Sequence, residues 1–153
     1  MEYKIIRLDP AEFPKCGEIW DMDAQREFAE RFRDELLSGN RITYVYIIGN
    51  IFVGEISLVF DTGDPDYTVK GKRIYMSRLI VRKEYQRRGI GRTLLRHAVK
   101  EARKMGYSDL SVGVDLDNYP AMKLYVGEGF DRILYLGEDE GGRYMKLLKT
   151  LSP

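Results

Sequence analysis

The sequence has one cysteine, one histidine, one tryptophan and five prolines among 153 residues. A lone Cys16 excludes a disulfide framework and a cysteine-based zinc site, and it agrees with a reducing compartment. A lone His97 without a cysteine pair leaves too little to build a metal centre, so no metal is expected. No apolar run approaches 18 residues, which speaks against a membrane-spanning helix. The opening Met1-Glu2-Tyr3-Lys4 lacks the basic segment and apolar stretch of a signal peptide, so a soluble cytoplasmic protein is expected. Net charge is nearly absent as well, at +1, while 44% of the residues are hydrophobic. That balance excludes a disordered chain, and the length fits a single domain over residues 1–153.

What is present is a segregation of charge. Residues 1–72 carry a balance of −5, residues 73–104 one of +9, and residues 105–153 one of −3. An anionic partner would meet this chain at its middle, and a cationic one at its flanks.

The hydrophobic pattern orders the elements. Tyr3 to Leu8 reads as a strand ended by Asp9-Pro10. Two helices are expected over Glu12–Trp20 and Gln25–Ser38, the second stopped by Gly39-Asn40. The runs Ile42–Ile48 and Ile51–Phe60 flank Gly49-Asn50, a two-residue hairpin signal. A polar, turn-rich loop over residues 61–71 leads to a fourth strand, Arg73–Val81. The period then becomes 3.6 through Ile90, Leu94, Leu95, Ala98, Val99 and Ala102, up to Gly106. Leu110, Val112 and Val114 alternate as a fifth strand. Asp117 or Asn118 caps a helix with Pro120 in its first turn, and Phe130–Leu136 with Arg143–Lys149 form a last hairpin. The order is β-α-α-β-β-β-α-β-α-β-β, an α/β (α+β) class with a mixed, mostly antiparallel central sheet flanked by helices.

The sharpest motif is Gln86-Arg87-Arg88-Gly89-Ile90-Gly91-Arg92, set between a strand and an amphipathic helix. Small residues let backbone approach a ligand, and free amides at a helix N-terminus attract an anion. A Walker loop would need Gly-Lys-Ser/Thr, which is absent. A dinucleotide fingerprint would need a small residue at Leu94 and a longer downstream sheet. With Leu79-Ile80-Val81 before it and Asn118-x-x-Ala121-x-x-Leu124-Tyr125-x-x-x-Gly129-Phe130 after it, the motif resembles the Gcn5-related N-acetyltransferase (GNAT) family over nearly the whole chain.

The resemblance implies the acyl-CoA N-acyltransferase fold and an enzyme that moves an acetyl group from acetyl-CoA to a primary amine. It implies that Leu79, Ile80 and Val81 meet the pantetheine arm through backbone, with the Leu79 amide facing the thioester carbonyl. The diphosphate would lie on Gln86, Arg87, Arg88, Gly89, Ile90, Gly91, Arg92 and Thr93, and Asn118 and Ala121 would contact the cofactor from the next junction. Tyr125 would be the general acid for the departing sulfur, against the plainer reading of a core tyrosine beside Leu124. No carboxylate lies in Ile74–Val81, where many family members keep one, which leaves Glu55 and Asp115 as candidate bases beside the alternative of ordinary surface or turn carboxylates.

Other residues read more plainly. His97 is expected on a solvated face with Arg96 and Lys100, Cys16 as a packed thiol, and Trp20 either as a helix-packing residue or as part of the acceptor side. Acidic residues at Asp21, Asp23, Asp61, Asp64, Asp66, Glu138, Asp139 and Glu140 lie where the resemblance puts the acceptor loops, and they would attract a cationic acceptor, a small molecule or a protein amino terminus, beside the equal alternative of merely solvated loops. Neither nucleic acid nor membrane is an expected partner, and a homodimer through the C-terminal strands is the family's common assembly. Two rivals stay open: a non-catalytic acyl-CoA-binding protein of the same fold, and a nucleic-acid-binding module using the basic strip.

Overall fold

The computed structural model describes residues 2–151. The strands are β1 (Tyr3–Arg7), β2 (Arg41–Ile48), β3 (Ile51–Val59), β4 (Arg73–Val81), β5 (Asp109–Asp115), β6 (Arg132–Asp139) and β7 (Gly142–Thr150). The α-helices are α1 (Arg26–Ser38), α2 (Ile90–Lys104) and α3 (Tyr119–Gly127), with 3-10 helices over Pro10–Glu18 and Lys83–Tyr85. The strands follow the order β1-β2-β3-β4-β5-β7-β6. β4 and β5 run parallel, whereas β1 with β2, β2 with β3, β5 with β7 and β6 with β7 run antiparallel. The mixed, mostly antiparallel class expected from the pattern is the one observed.

The chain divides into two compact units, Met1–Val59 with Arg78–Ala98, and Phe60–Ser77 with Val99–Pro153. In the first, Leu8, Phe13, Cys16, Trp20, Phe32, Leu36, Val45, Ile47 and Phe52 form one buried cluster. Phe13, Trp20, Phe28 and Phe32 meet at ring distances of 4.9 to 6.3 Å. The first expected α-helix is a 3-10 helix instead. Pro10 sits at its first turn, Pro14 lies inside it, and Asp9 caps it by accepting from the Ala11 amide at 3.0 Å. A proline within the run removes an i to i−4 donor, so only the tighter, shorter-range turn survives. Gly39 ends α1 at φ 84, as its place after the apolar stripe predicts.

In the second unit β5 is the central support. It pairs with β4 from Arg73↔Asp109 to Tyr75↔Ser111 and with β7 along its whole length, from Asp109↔Thr150 to Asp115↔Tyr144. Leu110, Val112, Val114, Leu147 and Leu148 are buried. The loop before β4 is tied down by side chains: Ser111 Oγ donates to the Tyr67 carbonyl at 2.6 Å and Arg73 Nη1 to the Asp66 carbonyl at 2.9 Å. Tyr67 crosses β5 so closely that a Cβ on Gly113 would lie 2.5 Å from its hydroxyl, so any larger residue there would push the phenol aside.

Candidate active site

In the first unit, β4 ends where Arg82 N–H donates to the Val53 carbonyl at 2.8 Å, and Gln86 Nε2 donates back to the Val81 carbonyl at 2.9 Å. Gly54 permits that approach, since a Cβ would sit 3.1 Å from the Ile80 carbonyl oxygen. The chain then turns through two left-handed residues, Arg87 at φ 65 and Gly89 at φ 81. Such alternation curls successive amides toward one side and makes a cradle for an anion. The Gly89 carbonyl accepts the Thr93 amide and hydroxyl, at 3.0 and 2.9 Å, so α2 starts directly after it. First-turn amides of a helix have no intrahelical partner, and the dipole adds positive potential. Gln86, Arg87, Arg88, Gly89 and Arg92 are exposed, whereas Ile90 is buried under the helix. These residues suit a diphosphate.

The same unit holds an unusual acid. Glu55, in the middle of β3, is fully buried. Its Oε1 accepts from Trp20 Nε1 at 2.9 Å, the Cys16 thiol lies beside it, and its Oε2 has no hydrogen-bond partner within the protein. Burial pushes the Glu55 carboxyl up to about 7, against the opposing pull of the Trp20 hydrogen bond and the Arg78 charge. Burial likewise raises the Cys16 thiol, so it is a packed, unreactive group. Trp20 is itself buried, yet it also borders a cavity of about 590 Å³ with Asp21, Met22 and Asp23, so it serves in packing and as a cavity wall.

In the second unit a cavity of about 440 Å³ opens beside the end of β5. Asn118 caps α3 by accepting the Ala121 amide at 3.3 Å, with Pro120 in the first turn. This places Asp115, Asn118, Ala121 and Tyr125 along one wall, and Tyr67, Tyr75 and Tyr144 line the rest. Tyr125 is buried, edge-on to Phe130 at 5.7 Å, and burial with the neighbouring Tyr75 pushes its phenol up to about 12. Three carboxylates, Asp64, Asp115 and Asp139, face the cavity along with Lys146. Lys146 Nζ donates to Asp64 Oδ2 at 2.7 Å and to Asp66 Oδ2 at 3.1 Å, and it rests over the rings of Tyr67 and Tyr135.

Against known proteins, the model of the Acetyltransferase (GNAT) family matches residues 3–130. The chain belongs to the GNAT acetyltransferase family. Human N-acetyltransferase 8 is 34% identical over 67 residues, which is 44% of this chain and 30% of that protein. The chain spans less than a third of the length of the curated relatives it matches. Among solved structures, the ribosomal-protein-S18-alanine N-acetyltransferase of Escherichia coli superposes with a TM-score of 0.79 at 18% identity, covering 99% of this chain and 96% of that one. A GNAT family acetyltransferase from Elizabethkingia anophelis with acetyl-CoA bound gives 0.71 at 17%, covering 97% of each. Those two likenesses concern the fold.

Set out on the GNAT fold, the residues expected from sequence gather in two places. Leu79, Ile80, Val81 and the run from Gln86 to Thr93 lie together in one unit; Asp115, Asn118, Ala121 and Tyr125 share one cavity in the other. Two expectations are corrected. Glu55 is not a surface carboxylate, because both faces of β3 are covered from Phe52 to Val59. His97 is half-buried with its ring edge-on to Tyr44 of β2 at 4.8 Å, so its side of α2 is only partly solvated. Sequence reading missed Tyr67, Tyr75, Tyr144 and Lys146 as cavity walls, and it missed Arg78. The last had a signal: it is the one charge between Ile74 and Val81. Among the described residues, no group of three or more His, Cys, Asp or Glu side chains could hold a metal, and no helix is long and apolar enough to cross a membrane.

Proposed function

We propose that this GNAT protein transfers the acetyl group of acetyl-CoA to a cationic primary amine, a small molecule or a protein amino terminus, by direct attack in a ternary complex. The observation that carries the reading is the cavity beside β5, where Tyr125 and Asn118 of the family motif meet tyrosines and acidic side chains. Acetyl-CoA supplies an activated thioester. The protein's part is to hold it, orient the amine and manage two protons.

Amides from Arg87 to Arg92 and the helix dipole bind the diphosphate, and the backbone of Leu79, Ile80 and Val81 pairs with the pantetheine amides. The Leu79 N–H stabilises the developing oxyanion. Tyr125 stays protonated throughout the physiological range, so it always offers a donor to the sulfur. A phenol near 12 is a weak acid toward a thiol near about 8.5. Its contribution is therefore a hydrogen bond that strengthens as charge builds on sulfur, followed by proton transfer as CoA departs. The amine must lose a proton before attack. Asp115 at the cavity wall and the buried Glu55, whose carboxyl is pushed up to about 7, are the two candidate bases.

The reading includes action as a single domain, a cytoplasmic setting and a homodimer. Support for the dimer comes from β6, one of the two end strands, which exposes Ile133, Tyr135 and Leu136. Mass spectrometry of an amine incubated with acetyl-CoA and the protein tests the central step. The expected result is N-acetylated amine and free CoA in equal amounts; acetyl-CoA binding without product from any amine would leave a non-catalytic binding protein.

A further inference from the structure

Arg78 adopts φ 65 in the middle of β4. A long, Cβ-bearing side chain rarely occupies that left-handed region, because its Cβ crowds the following carbonyl. The conformation persists only where surroundings hold it. In this protein the holder is visible. The Arg78 guanidinium carbon lies 4.3 Å from the ring centre of Trp20 and 4.8 Å from that of Phe28. Trp20 is fixed in turn by its 2.9 Å hydrogen bond to Glu55, whose carboxylate attracts the Arg78 charge. Arg78 Nε and Nη2 are buried without a hydrogen-bond partner in the protein, as is Glu55 Oε2. Hydrogen bonds from those two nitrogens are therefore not what seats the arginine. Stacking on two aromatic rings, together with the field of one buried acid, fixes where the guanidinium lies.

Backbone angles at residue 78 set the direction of the next amide, which is that of Leu79. In an extended strand that N–H would continue the alternation of the ladder; a left-handed residue 78 turns it away. We propose that Arg78 is a positioning residue for acyl transfer: seated against the adjoining rings of Trp20 and Phe28 and drawn by the Glu55 carboxylate, it locks the left-handed turn in β4 that aims the Leu79 amide. The assignment rests on the reading above, in which that amide meets the thioester carbonyl. It makes the buried Trp20–Glu55 pair a support for the catalytic backbone, in addition to any role of Glu55 toward protons.

A pair of substitutions separates this role from simple core filling. Arg78→Ala removes the ring contact and leaves a residue that disfavours φ near 65, whereas Arg78→Gly removes the same side chain but adopts that φ freely. The expected turnover order at saturating acetyl-CoA is wild type, then Arg78→Gly, then Arg78→Ala, with the alanine variant about tenfold or more below wild type and the KM for acetyl-CoA little changed. If glycine is no better than alanine, the arginine acts as filler and the proposal is overturned. Should the alanine variant fail to fold, Arg78→Ser, which also lacks the ring contact and disfavours that φ, takes its place in the same order.

Nitrogen-15 NMR gives a readout that does not depend on turnover. In cofactor-free protein, the three-bond coupling of residue 78 should report left-handed φ in wild type and Arg78→Gly and its loss in Arg78→Ala. An unchanged coupling in the alanine variant overturns the proposal. Adding acetyl-CoA should shift the Leu79 amide resonance in wild type; an unmoved resonance there rejects the cofactor contact itself, a failure distinct from that of the positioning role.

Discussion

Glu55 and Asp64 carry the same functional group and are driven in opposite directions. Glu55, sealed in the first unit with one oxygen unpartnered, is pushed up to about 7 by burial. Asp64, half-exposed in the second, is held below the usual carboxylate range by the Lys146 ammonium that bonds it at 2.7 Å. Desolvation dominates where no counter-charge comes within bonding distance, and a direct ion pair dominates where one does. The first environment makes a carboxyl that is still partly protonated near neutrality. The second makes a fixed charge, and it makes the cavity less acidic than a count of its aspartates implies.

The largest expected effect lies away from either acid. Gly89 stands at φ 81 with open space around the position of a Cβ, so substitution would cost conformation, not sterics. Gly89→Val should uncurl the loop and weaken acetyl-CoA binding about a hundredfold or more by calorimetry; normal affinity would remove the loop from the cofactor site. Next is Tyr125→Phe, which should lower kcat by about ten- to a hundredfold at nearly unchanged acetyl-CoA affinity. An unchanged kcat would make Tyr125 a core residue and nothing more.

Glu55→Gln attacks the comparison directly. Because the Glu55 carboxyl titrates higher in the folded state than in the unfolded chain, folding favours its protonated form. Its contribution to stability is complete below about pH 4.5, falls as pH rises, and is gone above about pH 7. Wild type should lose on the order of 3 kcal/mol relative to Glu55→Gln across that window, as followed by urea midpoints at a series of pH values. Parallel pH dependence in the two proteins would show that Glu55 is not desolvated. The smallest effect belongs to Lys146→Met. It frees Asp64 and Asp66 and makes the cavity more negative, so the KM of a cationic acceptor should fall a few-fold while stability drops by about 1 kcal/mol or less. A raised KM would mean that negative charge in this cavity does not attract the acceptor.

Much of this could be read in the residues. The bounds of β4, the turn at Gly49-Asn50, the Asn118 cap and the glycine loop at the start of α2 follow from local chemistry, which one sequence states fully. Long-range packing was not legible in the same way. Burial along β3 runs unbroken from Phe52 to Val59, so alternation could not reveal that Glu55 points into the interior. Tyr67 reaches β5 from a turn-rich loop, and Lys146 reaches Asp64 from 82 positions away. The 3-10 helix over Pro10–Glu18 departs from the expected α-helix through Pro14, a residue that was in plain view.

Acceptor charge tests the account most directly. Thiol release from acetyl-CoA is to be followed across polyamines, aminoglycosides, peptide amino termini, neutral amines and acidic amines at matched concentration. The account predicts that kcat/KM is highest for the cationic acceptors and that the advantage shrinks as salt rises. Equal or faster turnover of neutral or acidic amines would contradict it.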